Sequence, residues 1–395
     1  MTRINLSSKL EPVDRGFALG LVAHVLDRCD PSTLIRDHFQ LDAPPRPTHI
    51  LAFGKASSPM ALACAQMLGP WLRGGVILSP DALIPIPSPD IPLRFLGVDH
   101  PSPTARNVEA TKALAEYARS IPNSDRCMVC ISGGGSAHLC LPNDGVSLQY
   151  IIDVTKNHIN HGSSIHKLNQ SRRSLEQLKA GGLAKILSHV HDVQALVLSD
   201  VLGDDLEIIA SGPMVNAEHP TVHTIVGNHE TTLAAAVEFL VKRKILIGHQ
   251  ESQVAGDAQT HGRRLAGLFM EGSGAVLMAG ETTVDARASG GVGGPCIEMA
   301  LACALELVEL GSRNWGIIGL ATDGIDGPSL VAGAVITGPM LVTDQIKQSA
   351  RRALAEHNTR PFLDSIGALI TTGPTGTNLN DVYLVYPLDT NPIEK

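Results

Sequence analysis

Short, wholly apolar runs punctuate the chain, and each leads into a turn rich in Gly, Ser, Thr or Asp. HILAFG (49–54), GGVILSP (74–80), CMVCIS (127–132), VQALVLSD (193–200), GAVLMAG (274–280), WGIIGLATDG (315–324) and ALITTGPTGTN (368–378) have this form, and NDVYLVY closes the series. Helical spacings lie between them, such as KASSPMALACAQML after Gly54. Strands that are apolar throughout and alternate with helices predict parallel sheets covered on both faces, an α/β fold. In open sheets of this kind, ligands sit at the carboxyl ends of the strands. Those ends carry the polar residues here, which predicts an enzyme built around a polar cleft. A more polar, helical-looking stretch at 241–269 predicts a domain boundary, with an N-terminal α/β domain over 1–245 and a second over 246–395. The proline-dense DALIPIPSPDIP (81–92) reads as a surface connection.

Composition narrows the function classes. The 395 residues are 44% hydrophobic, enough for a sizeable core, and the formal net charge is -8. With no basic block and only 3% aromatics, nothing suggests a nucleic-acid partner. No stretch approaches a membrane span, and MTRINLSSKLEP lacks the apolar centre of a signal peptide. The seven cysteines form no CxxC and read as reduced core residues of a cytoplasmic protein.

Several strand ends carry candidate chemistry. Ser132-Gly133-Gly134-Gly135-Ser136 can turn successive N–H groups into one anion-binding concavity, or can be a tight turn. Lys55 can place a point charge on a phosphate oxygen, or can be a solvated lysine. Its place at a helix start is unfavourable to a cation, so some other gain should hold it there. Asp200, Asp204 and Asp205 can hold Mg²⁺ beside nucleotide phosphates, with helix capping as the competing reading. Asp323 and Asp326 have a similar setting, where Asp-Gly turn formation competes. Thr372, Thr375, Thr377 and Asn378 can bond a phosphate or a carboxylate, or support a turn around Gly373-Pro374. GETTVDARASGGVGGPCIEMA (280–300) has the glycine frame of a phosphate loop, yet Pro295, Cys296 and Ile297 offer an anion nothing.

Eight segments, FGKASSPMA, DHPSPTARNVEAT, ISGGGSAHLCLP, LVLSDVLGDDLEIIASGP, VGNHETTLAAA, AGETTVDA, ATDGIDGPSLVAGAVI and TGPTGTNLNDVY, occur in that order. Together they resemble the class II glycerate 2-kinase family, whose C-terminal part is the MOFRL domain. The resemblance runs from about residue 50 to 385. It implies a Rossmann-like N-terminal domain, a MOFRL-type C-terminal α/β domain and an active site in the cleft between them. It implies transfer of the γ-phosphoryl of ATP to the 2-hydroxyl of D-glycerate, giving 2-phosphoglycerate, with Mg²⁺ as cofactor. The enzyme would be a monomer or homodimer acting on a small molecule. Carried onto this chain, it makes Lys55 and Asp200 catalytic. Ser132 to Ser136, Asn169, Arg172, Glu281, Thr282, Thr375, Thr377 and Asn378 become substrate or phosphate ligands, and Asp204, Asp323 and Asp326 metal ligands.

The chain departs from the family pattern at two arginines. GGRNQE is replaced at Gly293 to Glu298, so Pro295 stands where the arginine would be. KGGRLA becomes KAGGLA, which keeps Lys179 but puts Gly182 in place of an arginine. Cations stabilise the transferring group in phosphoryl transfer. Their loss raises two alternatives, a kinase of another small hydroxy acid or polyol and a non-catalytic member of the family. Arg287 is the nearest substitute cation in the sequence.

Overall fold

The computed structural model describes residues 4–6, 10–39, 46–86, 91–160, 165–285 and 290–388. Arg287 and residues 87–90 of the proline-dense connection lie outside them. The chain divides into two compact units. An inserted unit comprises Asp30–Asn228 and Gly376–Asn378; a terminal unit comprises the residues up to Cys29, His229–Thr375 and those from Leu379 onward. The compact units part at 228/229, the expected domain boundary lying at 245/246, and the N-terminal segment joins the later part of the chain. Side-chain packing is the reason. On the helix Pro12–Arg28, Phe17 meets Phe239 of the helix His229–Lys242 at 5.4 Å between ring centroids and Tyr386 at 4.3 Å.

Strand β1 (Asn5–Leu6) belongs to the terminal unit. The inserted unit holds β2 (Thr48–Phe53), β3 (Leu72–Ser79), β4 (Leu93–Gly97), β5 (Arg126–Ser132), β6 (Asp192–Leu198) and β7 (Val222–Gly227). Among the described residues these form one sheet in the order β4-β3-β2-β5-β6-β7, and every pairing is parallel. Numbered from β2, the order is 3-2-1-4-5-6, that of a doubly wound dinucleotide-binding fold, which reverses between β2 and β5. All six residues of β2 and all seven of β5 are buried. Leu51, Phe53, Val129 and Ile131 pack there with Leu114 of the helix Ala105–Ser120. On the helix Ser57–Leu68, Ser57 Oγ donates to the Leu78 carbonyl at 2.7 Å and Ser58 Oγ to Ser79 Oγ at 2.7 Å. Small, bonded side chains let this helix lie close on the sheet.

The terminal unit adds β8 (Ile247–Asp257), β9 (Ala275–Thr283), β10 (Gly316–Ala321), β11 (Gly333–Thr337), β12 (Leu369–Thr371) and β13 (Asp381–Tyr386). Its sheet order is β1-β12-β11-β10-β13-β9-β8. Only the β8–β9 pair is parallel among the described pairings, so the parallel expectation fails here. An apolar run reports burial on both faces, not strand direction. The apolar helix Pro295–Glu309 packs against this sheet and buries residues around its whole circumference. Strand β8 occupies part of the stretch expected to be helical. Among the described residues no helix is long and apolar enough to cross a membrane. All seven cysteines are free and buried, as a reduced core requires.

Candidate active site at the switch point of the parallel sheet

The inserted unit brings Lys55 and the glycine turn together where the strand order reverses. The chain leaves β2 through Gly54, with φ at +111°. A Cβ at Gly54 would lie 2.3 Å from Ser132 Oγ and 2.4 Å from the Ser132 carbonyl oxygen, so only glycine fits. Three consecutive amides then bond across to the end of β5 and the segment that follows it. Gly54 N–H donates to His138 Nδ1 at 3.1 Å, Lys55 N–H to the Gly133 carbonyl at 2.8 Å, and Ala56 N–H to Ser132 Oγ at 2.9 Å. The half-buried Lys55 side chain passes the turn so closely that a Cβ on Gly134 would lie 3.1 Å from Lys55 Cγ. The same Cβ would lie 3.2 Å from the His100 ring.

Within the turn, Gly134 takes the left-handed conformation at φ +79°. Gly133 lies under Asp200, whose Oδ2 would be 2.0 Å from a Cβ there and accepts from Asn378 Nδ2 at 3.1 Å. Lys55, the glycines, Asp200 and Asn378 thus share one end of the sheet. Ser132 was expected among the phosphate or substrate ligands. It is 1% exposed, and its hydroxyl accepts from the Lys55 turn rather than facing outward.

A polar layer supports the turn. Ser136 Oγ lies 2.9 Å from Ser211 Oγ, and Ser211 Oγ donates to Asn169 Oδ1 at 3.0 Å. Asn169 Nδ2 reaches the Ile208 carbonyl at 3.3 Å, so Asn169 and Ser136 are joined through Ser211. Ala210, Ser211 and Gly212 have φ of +52°, +65° and +64°. Two non-glycine residues in succession at such values store strain of the kind that clusters at functional sites. Lys179 Nζ donates to the Ser136 carbonyl at 2.7 Å and to the buried Glu176 carboxylate. Burial pushes the Lys179 ammonium below its usual range, and Glu176 opposes that shift. Burial also lowers Arg172, again against Glu176, and its Nε reaches Thr155 Oγ1 at 3.5 Å. Arg172, expected to meet substrate or phosphate, thus lies beside the Glu176–Lys179 pair.

The acids divide. Asp204 Oδ2 accepts from Asn228 Nδ2 at 2.6 Å, while its Oδ1 is buried without a partner. Asp205 Oδ1 accepts from Glu207 N–H at 2.9 Å, a local cap. Among the described residues no group of three or more His, Cys, Asp or Glu side chains is gathered for a metal. Asp204 belongs to the inserted unit, and Asp323 and Asp326 to the terminal unit.

In the terminal unit the glycine loop ahead of the helix Pro295–Glu309 receives an internal anion. Asp326 Oδ1 accepts from Cys296 N–H and Oδ2 from Ile297 N–H, both at 2.9 Å. A carboxylate at a helix N-terminus satisfies orphan donors and the dipole together. Asp326, expected as a metal ligand, thus caps this helix and occupies its Cys296 and Ile297 amides. Asp323 Oδ1 accepts from Ile325 N–H at 2.9 Å, within the Asp-Gly turn. Thr375 Oγ1 donates to the Thr322 carbonyl at 2.6 Å, and buried Thr282 shares its hydroxyl with Tyr383 at 3.1 Å. Both hydroxyls, expected to meet a phosphate or a substrate, thus also bond within the terminal unit. Glu281 Oε2 accepts from Asn380 Nδ2 at 3.0 Å. Buried Thr377 groups with the inserted unit.

Burial raises Asp326 to about 7, the two amide bonds offset part of that, and Asp323 and Glu298 add to it. The folded state then holds this proton more tightly than the unfolded chain, whose carboxyl titrates near 3.8. Stability from this group is therefore present below that value and lost as pH rises to about 7. Wild type should exceed Asp326→Asn in urea midpoint by more at pH 4 than at pH 8. An equal gap at both pH values would show that Asp326 keeps an ordinary pKa.

His138 and Ser211 went unread in the sequence. The signal for His138 was its place two residues after Ser136 in SGGGSAH, within reach of the same turn.

The known proteins agree with this architecture. A domain of unknown function, DUF4147, matches residues 17–242, and the MOFRL family matches residues 274–381. A D-glycerate 2-kinase of Thermotoga maritima is 29% identical, with 85% of this chain and 89% of that protein covered. A chain of Agrobacterium vitis is 31% identical over 85% of this chain and 98% of its own length, and its name proposes a hydroxypyruvate reductase. A crystal structure of glycerate kinase from Thermotoga maritima superposes with a TM-score of 0.83 at 27% identity, covering 94% of this chain and 99% of that one. With DUF4147 followed by MOFRL, and with this parallel sheet and glycine turn, the chain belongs to the class II glycerate kinase family.

Proposed function

We propose that the chain is an ATP-dependent kinase that phosphorylates the 2-hydroxyl of D-glycerate to give 2-phosphoglycerate. The observation that carries this reading is the Lys55 side chain lying along Gly134, at the switch point of a doubly wound sheet. Phosphoryl transfer is mostly positioning and charge stabilisation. Lys55 supplies positive charge where the γ-phosphoryl becomes electron-rich. Asp200 takes the proton of the attacking hydroxyl as the new O–P bond forms and the bond to ADP breaks. Asp204, whose buried Oδ1 has no hydrogen-bond partner, would offer an oxygen to a Mg²⁺ ion brought with the nucleotide, and that ion would supply charge neutralisation at the phosphates. Asp326 does not fit that role, since both its oxygens accept backbone N–H groups.

One observation favours a second reading, a less anionic acceptor. The helix N-terminus behind Gly294 already holds the Asp326 carboxylate, and Pro295 and Gly182 carry no guanidinium to grip an acid. Pure protein with ATP and Mg²⁺ should convert D-glycerate to 2-phosphoglycerate faster than it converts any other hydroxy acid or polyol. Faster turnover of a neutral polyol would transfer the assignment to the second reading. No ADP release with any acceptor would overturn both.

A further inference from the structure

We infer that His138 is a positioning residue, holding Lys55 over the glycine turn. The inference rests on the kinase reading and extends it to a side chain that touches neither phosphate nor acceptor. Lys55 sits on a turn whose three amides, 54 to 56, bond to the last residue of β5 and to the segment after it. One acceptor is main chain, the Gly133 carbonyl, and persists whatever residue stands there. The other two are side chains, Ser132 Oγ and His138 Nδ1. His138 grips Gly54, the residue immediately before the lysine, at the point where β2 ends.

The ring is held from behind. The helix Ala105–Ser120 contributes Asn107 Nδ2, which donates to the Ala137 carbonyl at 2.9 Å. From the same helix Thr111 Oγ1 donates to the His138 carbonyl at 3.3 Å and accepts from Cys140 N–H at 3.1 Å. The backbone around His138 is therefore fixed on both sides, and the imidazole transmits that position to Gly54. To accept from Gly54 N–H, Nδ1 must be unprotonated, which places the ring proton on Nε2. The ring is fully buried, and the His100 ring stands edge-on at 5.9 Å between centroids. Burial first, then His100, pushes His138 down to about 3, so it remains an acceptor throughout the neutral range.

Nε2 identifies the ring's purpose. That atom is buried with no partner, the Leu78 carbonyl being near but outside hydrogen-bond geometry. An unmade buried bond costs about 1–3 kcal/mol, so an apolar side chain would serve stability as well. What an apolar side chain lacks is the acceptor aimed at Gly54.

The two amide side chains separate these roles. Asparagine places its oxygen near the position of Nδ1, whereas glutamine places it near Nε2. In the full chain, His138→Asn should keep turnover within about fivefold, while His138→Gln and His138→Leu should lose about 10²-fold in kcat with little change in KM. Urea midpoints of all three should stay near wild type. Hydrogen exchange of the peptide spanning 53–57 should quicken in the glutamine and leucine variants but not in the asparagine variant. Glutamine performing as well as asparagine, or leucine keeping wild-type kcat, would overturn the inference. If the wild type turns over no acceptor, the kinase reading fails by itself. Exchange then decides alone, and equal rates in all four proteins would reject the positioning role.

Discussion

Replacing Lys55 with methionine should lower kcat/KM for ATP-dependent phosphorylation by about 10³-fold or more, leaving the urea midpoint unchanged. Methionine preserves the unbranched stem that lies against Gly134, so packing survives and only the charge is lost. A loss of that size corresponds to about 4 kcal/mol of transition-state stabilisation, within reach of a single cation beside a transferring phosphoryl group. Arginine should restore little of it. Its planar fork is wider than an ammonium, and the stem already passes a turn that accepts no Cβ without contact. Turnover of Lys55→Met within tenfold of wild type would remove Lys55 from the chemistry.

Gly54→Ala should be the most destabilising single change around the site, by about 2–5 kcal/mol in urea unfolding. Two costs add. The backbone at φ +111° is unfavourable to any L side chain, and the new Cβ would overlap Ser132 Oγ and the Ser132 carbonyl, at 2.3 and 2.4 Å. The carbonyl belongs to β5 and cannot rotate away. Gly145→Ala isolates the first cost, because Gly145 has φ +79° and no atom within 4 Å of its added Cβ. It should cost only about 1 kcal/mol. Equal losses in the two variants would mean that the contact with Ser132 relaxes freely.

Much of the inserted unit was legible in the sequence because its determinants are local. HILAFG, CMVCIS and VQALVLSD are apolar throughout and end in polar turns, and they are β2, β5 and β6. Lys55 and the three glycines could be placed at strand ends for the same reason. The terminal unit was less legible because its determinants are distant along the chain. β10 pairs with β13, more than sixty residues later, and nothing in WGIIGLATDG announces an antiparallel partner. Asp326 caps a helix that begins about thirty residues before it, whereas Asp-Gly within ATDGIDG is a local cue for a turn. β8 was missed because its burial is partial and its pattern polar, unlike the strands that cross the core. His138 escaped because a single histidine after a glycine turn gains meaning only once Gly54 is folded against it.

The terminal unit joins the N-terminal segment to stretches of chain that begin only at His229, after the main body of the inserted unit. During synthesis the helix Pro12–Arg28 leaves the ribosome with Ala18, Leu21, Val22 and Val25 uncovered, because its packing partner begins at His229. About 200 residues must be translated first, roughly 10–40 s at ordinary elongation rates. For that interval the nascent protein carries an apolar helix face with nothing to cover it. Such a segment is a natural handle for trigger-type chaperones, and yield on overexpression should depend on their supply more than the finished enzyme's stability suggests.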